Sequence, residues 1–63
     1  MRSFQESKDA MLHHLDGAGE LGWIFSRLSA YEKEVAHALI SEGLAVIANS
    51  RLVLTEEGKE HLK

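Results

Sequence analysis

The 63-residue chain contains no cysteine and no proline. Without cysteine, neither a disulfide framework nor a thiolate zinc site can support the fold. Without proline, helices run uninterrupted by that residue. No apolar run approaches the roughly 18 residues of a membrane span. The opening MRSFQESKDAM is polar and charged, unlike a signal peptide. The expected compartment is therefore the cytoplasm, with no membrane partner. Cations are also scarce: seven Lys and Arg stand against ten Asp and Glu, for a formal charge of −3. Proteins that grip nucleic acid through phosphates usually present a basic face. Any such face here must be assembled from few, well-placed residues.

An apolar content of 44% is ordinary for a globular chain and argues against disorder. The length allows one domain, residues 1–63. A domain of this size buries only about 60% of its unfolded surface, so its stability is a few kcal/mol and partners matter.

Local signals divide the chain. Ser3 followed by Glu6 is a capping-box pattern, and Phe4, Met11, Leu12 and Leu15 follow at helical spacing. The spacing predicts a first helix from about Phe4 to Leu15, stopped by Asp16-Gly17-Ala18-Gly19. In ELGWIFSRL, Leu21, Ile24, Phe25 and Leu28 sit at i, i+3, i+4 and i+7, which predicts a second helix. Ser29-Ala30-Tyr31-Glu32 is another capping box. It opens a third helix with Tyr31, Val35, Ala38 and Leu39 on one face, closed at Gly43. The period then becomes extended. LAVIA and LVL are two strand-like runs separated by Asn49-Ser50-Arg51, a hairpin signal. Thr55 can cap a short terminal helix in EEGKEHLK, directing Leu62 back to the core.

Two stretches carry a family resemblance. Leu39 with Gly43-Leu44 is similar to the end of a recognition helix. Leu54-Thr55-x-x-Gly58-x-x-x-Leu62 is similar to the exit from the wing in regulators of the multiple-antibiotic-resistance and related families. From about Met11 to Leu62 the chain resembles a winged helix-turn-helix domain. The resemblance implies an α+β, mainly α fold: three helices, a β-hairpin wing and a short C-terminal helix. It also implies a small DNA-binding transcriptional regulator acting as a dimer, with the third helix in the major groove and the hairpin on flanking backbone.

The residues themselves support two readings. Arg51 at the hairpin, Arg27 at the end of the second helix, and Lys33 and His37 on the third are the candidate DNA contacts. Against them, the stretch from Ser29 to Glu42 holds three acids and one Lys or Arg. Carboxylate–phosphate repulsion at about 4 Å costs roughly 1 kcal/mol even in high dielectric. The hairpin is apolar on both faces, which requires cover for each. Trp23 falls off its helix stripe and Ile40 at the edge of its own; with Ile47 and Val53 they are the candidate interface residues of a homo-oligomer or a protein partner. A winged-helix protein-interaction module is thus the alternative. The four histidines show no His-x-x-x-His pair, and no nucleophile–base set or cofactor motif is present. No metal, cofactor or enzymatic activity is expected.

Overall fold

The computed structural model describes residues 3–63. Within them lie three α-helices, α1 (Phe4–Ala18), α2 (Ala30–Ser41) and α3 (Glu56–His61), and three strands, β1 (Trp23–Ile24), β2 (Ala45–Ala48) and β3 (Arg51–Leu54). The fold is α+β and mainly helical, with an antiparallel sheet in the order β1-β3-β2.

Each helix starts on a side-chain cap. Ser3 Oγ accepts the Glu6 N–H, and its hydroxyl donates to the Glu6 carboxylate at 3.3 Å. α1 continues through Asp16, Gly17 and Ala18 and ends only at Gly19, at φ +61°. Gly17 lies within a single helical turn of the end and is tolerated there; Gly19 is the residue whose backbone leaves the helical region. At α2 the capping box is complete, with Ser29 Oγ accepting from Glu32 N–H and Glu32 Oε1 accepting from Ser29 N–H at 2.9 Å. Its C-terminus closes with Leu44 N–H donating to Leu39 C=O and Gly43 N–H to Ile40 C=O, Gly43 standing at φ +78°. This pair of bonds is a Schellman motif, and Leu44 and Leu39 are both buried beneath it.

The predicted second helix does not form. Gly19–Leu21 and Phe25–Arg27 are single 3₁₀ turns, and Trp23–Ile24 between them is strand β1, paired with Leu52 and Arg51. Gly22 explains the switch. Its φ is +59°, and a Cβ there would overlap the Leu52 carbonyl and the Val53 side chain. The chain at Gly22 lies flat against β3, in a conformation that only glycine adopts at low cost. Of the expected stripe only Leu28 is buried; Leu21 is 69% exposed. Two α-helices, not three, precede the hairpin.

The hairpin turn contains two residues, not three. Asn49 and Ser50 both have positive φ, 52° and 63°, as a type I′ turn requires. Ala48 therefore pairs with Arg51, Ile47 with Leu52, Val46 with Val53 and Ala45 with Leu54. Ala45 and Leu52 face the core, while Val46 and Val53 share the outer face. The core itself is formed by Met11, Leu12 and Leu15 of α1, Leu28 at the end of the Phe25–Arg27 turn, Val35, Ala36 and Leu39 of α2, and Leu44, Ala45 and Leu52 of the hairpin. Leu62 packs against it, as its spacing suggested. Thr55 joins the base of the hairpin to α3: its hydroxyl donates to Gly43 C=O at 2.6 Å and accepts from Gly58 N–H at 3.0 Å.

Candidate nucleic-acid interface

α2 is oriented by what it buries. With Val35, Ala36 and Leu39 in the core, Lys33 and His37, one turn apart, fall together on an adjoining stripe. That stripe meets Phe25 of the second 3₁₀ turn. Lys33 Nζ lies 5.9 Å from the Phe25 ring centroid, a cation–π distance. His37 stands edge-on to the same ring, at 5.6 Å and 74°. Arg27, exposed at the end of the Phe25–Arg27 turn, follows two residues later. Phe25, an apolar residue in the sequence pattern, is thus the hub that gathers Lys33 and His37.

Arg51 is placed differently from the expectation. It is not at the tip of the hairpin but the first residue of β3, paired with Ala48 on one side and Ile24 on the other. Its guanidinium donates to the Leu21 carbonyl at 3.1 Å, its one side-chain hydrogen bond among the described residues, and carries four further N–H groups that can meet an acceptor. The Phe25 N–H donates to Ser50 C=O at 3.1 Å, so the turn that carries Arg27 is tied directly to the residue preceding Arg51. Sequence spacing alone could not show this connection, because it depends on β1 crossing to β3.

The acids of α2 are largely engaged within the chain. Glu32 closes the capping box. Glu42, at the other end, forms an ion pair with Lys8 of α1 at 2.6 Å, where the Lys8 side chain is 15% exposed. Glu34 is exposed.

The candidate interface residues do not form one surface. Trp23 is half-buried on the core side of β1, stacked on His14 at 4.2 Å between ring centroids. Ile40 is half-buried against the core. Ile47 is 42% exposed on the core side of β2, and Val53 lies on the opposite face of the sheet. The exposed apolar residues that pattern reading missed are Phe4, Leu21, Ile24, Tyr31 and Val46. Ile24, Val46 and Val53 share the outer sheet face because Ile24 pairs with Arg51 and Val46 with Val53. A two-residue turn places Val46 beside Val53, but Ile24 joins them only through the pairing of β1 with β3, which no local signal shows.

Among the described residues, no three His, Asp or Glu side chains converge as a metal site. Among the same described residues, no helix is long and apolar enough to cross a membrane. No family model, curated protein or solved structure matches the chain.

Proposed function

We propose that the chain is a non-enzymatic DNA-binding regulator of winged-helix type. In this reading α2 enters the major groove and the β2–β3 hairpin lies on the flanking backbone. The element order supports it: a helix, a 3₁₀ turn, a short strand, a second 3₁₀ turn, α2 and then a hairpin whose second strand is central. The 3₁₀ turn Phe25–Arg27 takes the place of the middle helix of that fold.

One observation carries the proposal. Lys33 and His37 are collected around Phe25, two residues before Arg27 in the chain, while Glu32 accepts from the Ser29 backbone and Glu42 pairs with Lys8. Glu42 is offset by the Lys8 charge, whereas Glu32 and Glu34 keep theirs, so a phosphate approaching this stripe would meet Lys33 flanked by two carboxylates. Fluorescence anisotropy with a labelled duplex tests the reading. Binding is expected at about 50 mM salt, weakening log-linearly as salt rises, with a slope near 0.9 per phosphate contact. Replacing Lys33 or Arg51 by Ala is expected to reduce that slope by about one contact each. A flat titration on mixed-sequence duplex at this salt would rule DNA binding out.

A second reading rests on a different observation. Ile24 and Val46 are 38% and 44% exposed on the outer sheet face, and Leu21 is 69% exposed. An apolar group of this kind suits a protein-interaction module. Absence of DNA binding together with complex formation through this face would favour that reading.

A further inference from the structure

β2 is an outer strand of the sheet, since β3 occupies the centre. Natural edge strands are usually protected by a charged residue, a proline or a bulge. β2, Ala45-Val46-Ile47-Ala48, has none of these. It lies inside the eight residues Gly43–Ser50, the longest stretch of the chain without Asp, Glu, Lys or Arg.

The ladder shows which backbone groups are free. Ala48 and Arg51 flank the two-residue turn, and Thr55 N–H donates to Leu44 C=O at 3.1 Å. Antiparallel alternation then places hydrogen-bonded rungs at residues 44, 46 and 48 of this strand. The N–H and C=O groups of Ala45 and Ile47 point away from β3. Ala45 is 2% exposed and Ile47 is 42% exposed. Ile47 is therefore the open position of the edge.

We propose that β2 pairs antiparallel with β2 of a second copy, about a two-fold axis through the Ile47 pair. The two three-stranded sheets become one continuous sheet. Each Ile47 exchanges both backbone hydrogen bonds with its counterpart, and Val46 of each copy lies opposite Ala48 of the other. An axis through Val46 would instead need the backbone of Ala45, which is buried. A second copy fits this edge better than a foreign peptide because nothing charged on the strand or its flanks selects an incoming sequence, and self-pairing opposes no like charges. It also joins the two outer apolar faces, Ile24, Val53 and Val46, across the axis. A four-residue edge covers less than the roughly 1,200 Å² of a standard interface, so the dimer is weak, with a Kd on the order of 100 μM. The two-fold axis is perpendicular to the sheet, so both α2 helices remain on the same side of it. The pairing does not depend on DNA and is tested without it.

Sedimentation equilibrium of the whole chain is expected to show the mass rising toward twice the monomer value as concentration approaches about 1 mM. Ile47→Lys places a charge on each side of the axis and is expected to weaken association about tenfold or more. The chain is free of cysteine, so single cysteines report the register. Counterparts in a hydrogen-bonded pair lie about 5.5 Å apart at Cα, within disulfide range. Under mild oxidation Ile47→Cys is expected to cross-link into dimers, and Val46→Cys, one residue along on the other face, far more slowly. Should Ile47→Lys fail to fold by circular dichroism, the cysteine pair decides the question. A chain that stays monomeric near 1 mM, a dimer indifferent to Ile47→Lys, or faster cross-linking at Val46 would each overturn the pairing.

Discussion

Two neighbouring segments carry the same helical signal and fold differently. Leu21, Ile24, Phe25 and Leu28 repeat at i, i+3, i+4 and i+7, as convincingly as Tyr31, Val35, Ala38 and Leu39 do in the next segment. Only the second becomes an α-helix. The difference lies at the ends. α2 begins on Ser29 with a complete capping box and ends on Gly43 in a Schellman motif. The Leu21–Leu28 segment has no side-chain cap at either of its 3₁₀ turns, and Gly22 stands inside it at positive φ. Short helices are marginal in water without caps and packing. Here the backbone of Trp23 and Ile24 obtains its hydrogen bonds from β3 instead. Apolar period is thus a necessary sign of a helix, and the termini decide whether it is one.

The largest test of this comparison is Gly22→Ala. The new methyl group would overlap the Leu52 carbonyl and the Val53 side chain, in a backbone conformation that alanine resists. A loss of about 3 kcal/mol is expected, a large share of the stability of so small a domain. Urea denaturation followed by the fluorescence of Trp23, the single tryptophan, measures it. A loss below about 1 kcal/mol would mean that this close approach does not hold β1 to β3.

Ser29→Ala sharpens the other side of the comparison. Removing the Oγ that accepts the Glu32 N–H at 3.2 Å is expected to cost about 1 kcal/mol by the same measurement. No change would show that the core contacts of Val35 and Leu39 alone hold α2.

The smallest effect, of opposite sign, is expected at Gly17. It is helical, and apart from its chain neighbours and the helix's own backbone nothing among the described residues lies within 4 Å of where its Cβ would stand. Gly17→Ala should therefore stabilise the chain by about 0.5–1 kcal/mol, since alanine loses less backbone freedom on entering a helix. Stabilisation at Gly17 and destabilisation at Gly22 would separate helix propensity from tertiary contact within six residues of sequence.

Where the physics is local, the sequence was legible. The caps at Ser3, Ser29 and Thr55, the stop at Gly43 and the hairpin between Leu44 and Leu54 all rest on interactions spanning five residues or fewer, or on strand-forming runs with a turn between them. The misreadings have non-local causes, except at Arg51. β1 is two residues long and exists only because β3 lies beside it. Arg51 entered a strand because Ser50 accepts positive φ, completing a two-residue turn that Asn49 alone did not guarantee. The candidate DNA contacts on α2 were chosen by residue type. That Lys33 and His37 share Phe25 as a neighbour follows from the loss of the second helix, and with it the orientation of the Phe25 ring. The proposed interface residues were scattered because sheet faces invert with each one-residue change of register.

By itself the sequence determined the two capped helices, the hairpin region, the core set of Leu12, Leu15, Val35 and Leu39, and the absence of disulfide chemistry. These follow from spacing, caps and composition, which the chain carries in any conformation. Only the tertiary structure decided that the middle segment holds a strand, which face of the hairpin is covered, and that Lys33 and His37 share Phe25. Those outcomes depend on a hydrogen-bonding partner some thirty residues away, Leu52 for Trp23 and Arg51 for Ile24, and no local pattern specifies a partner at that distance.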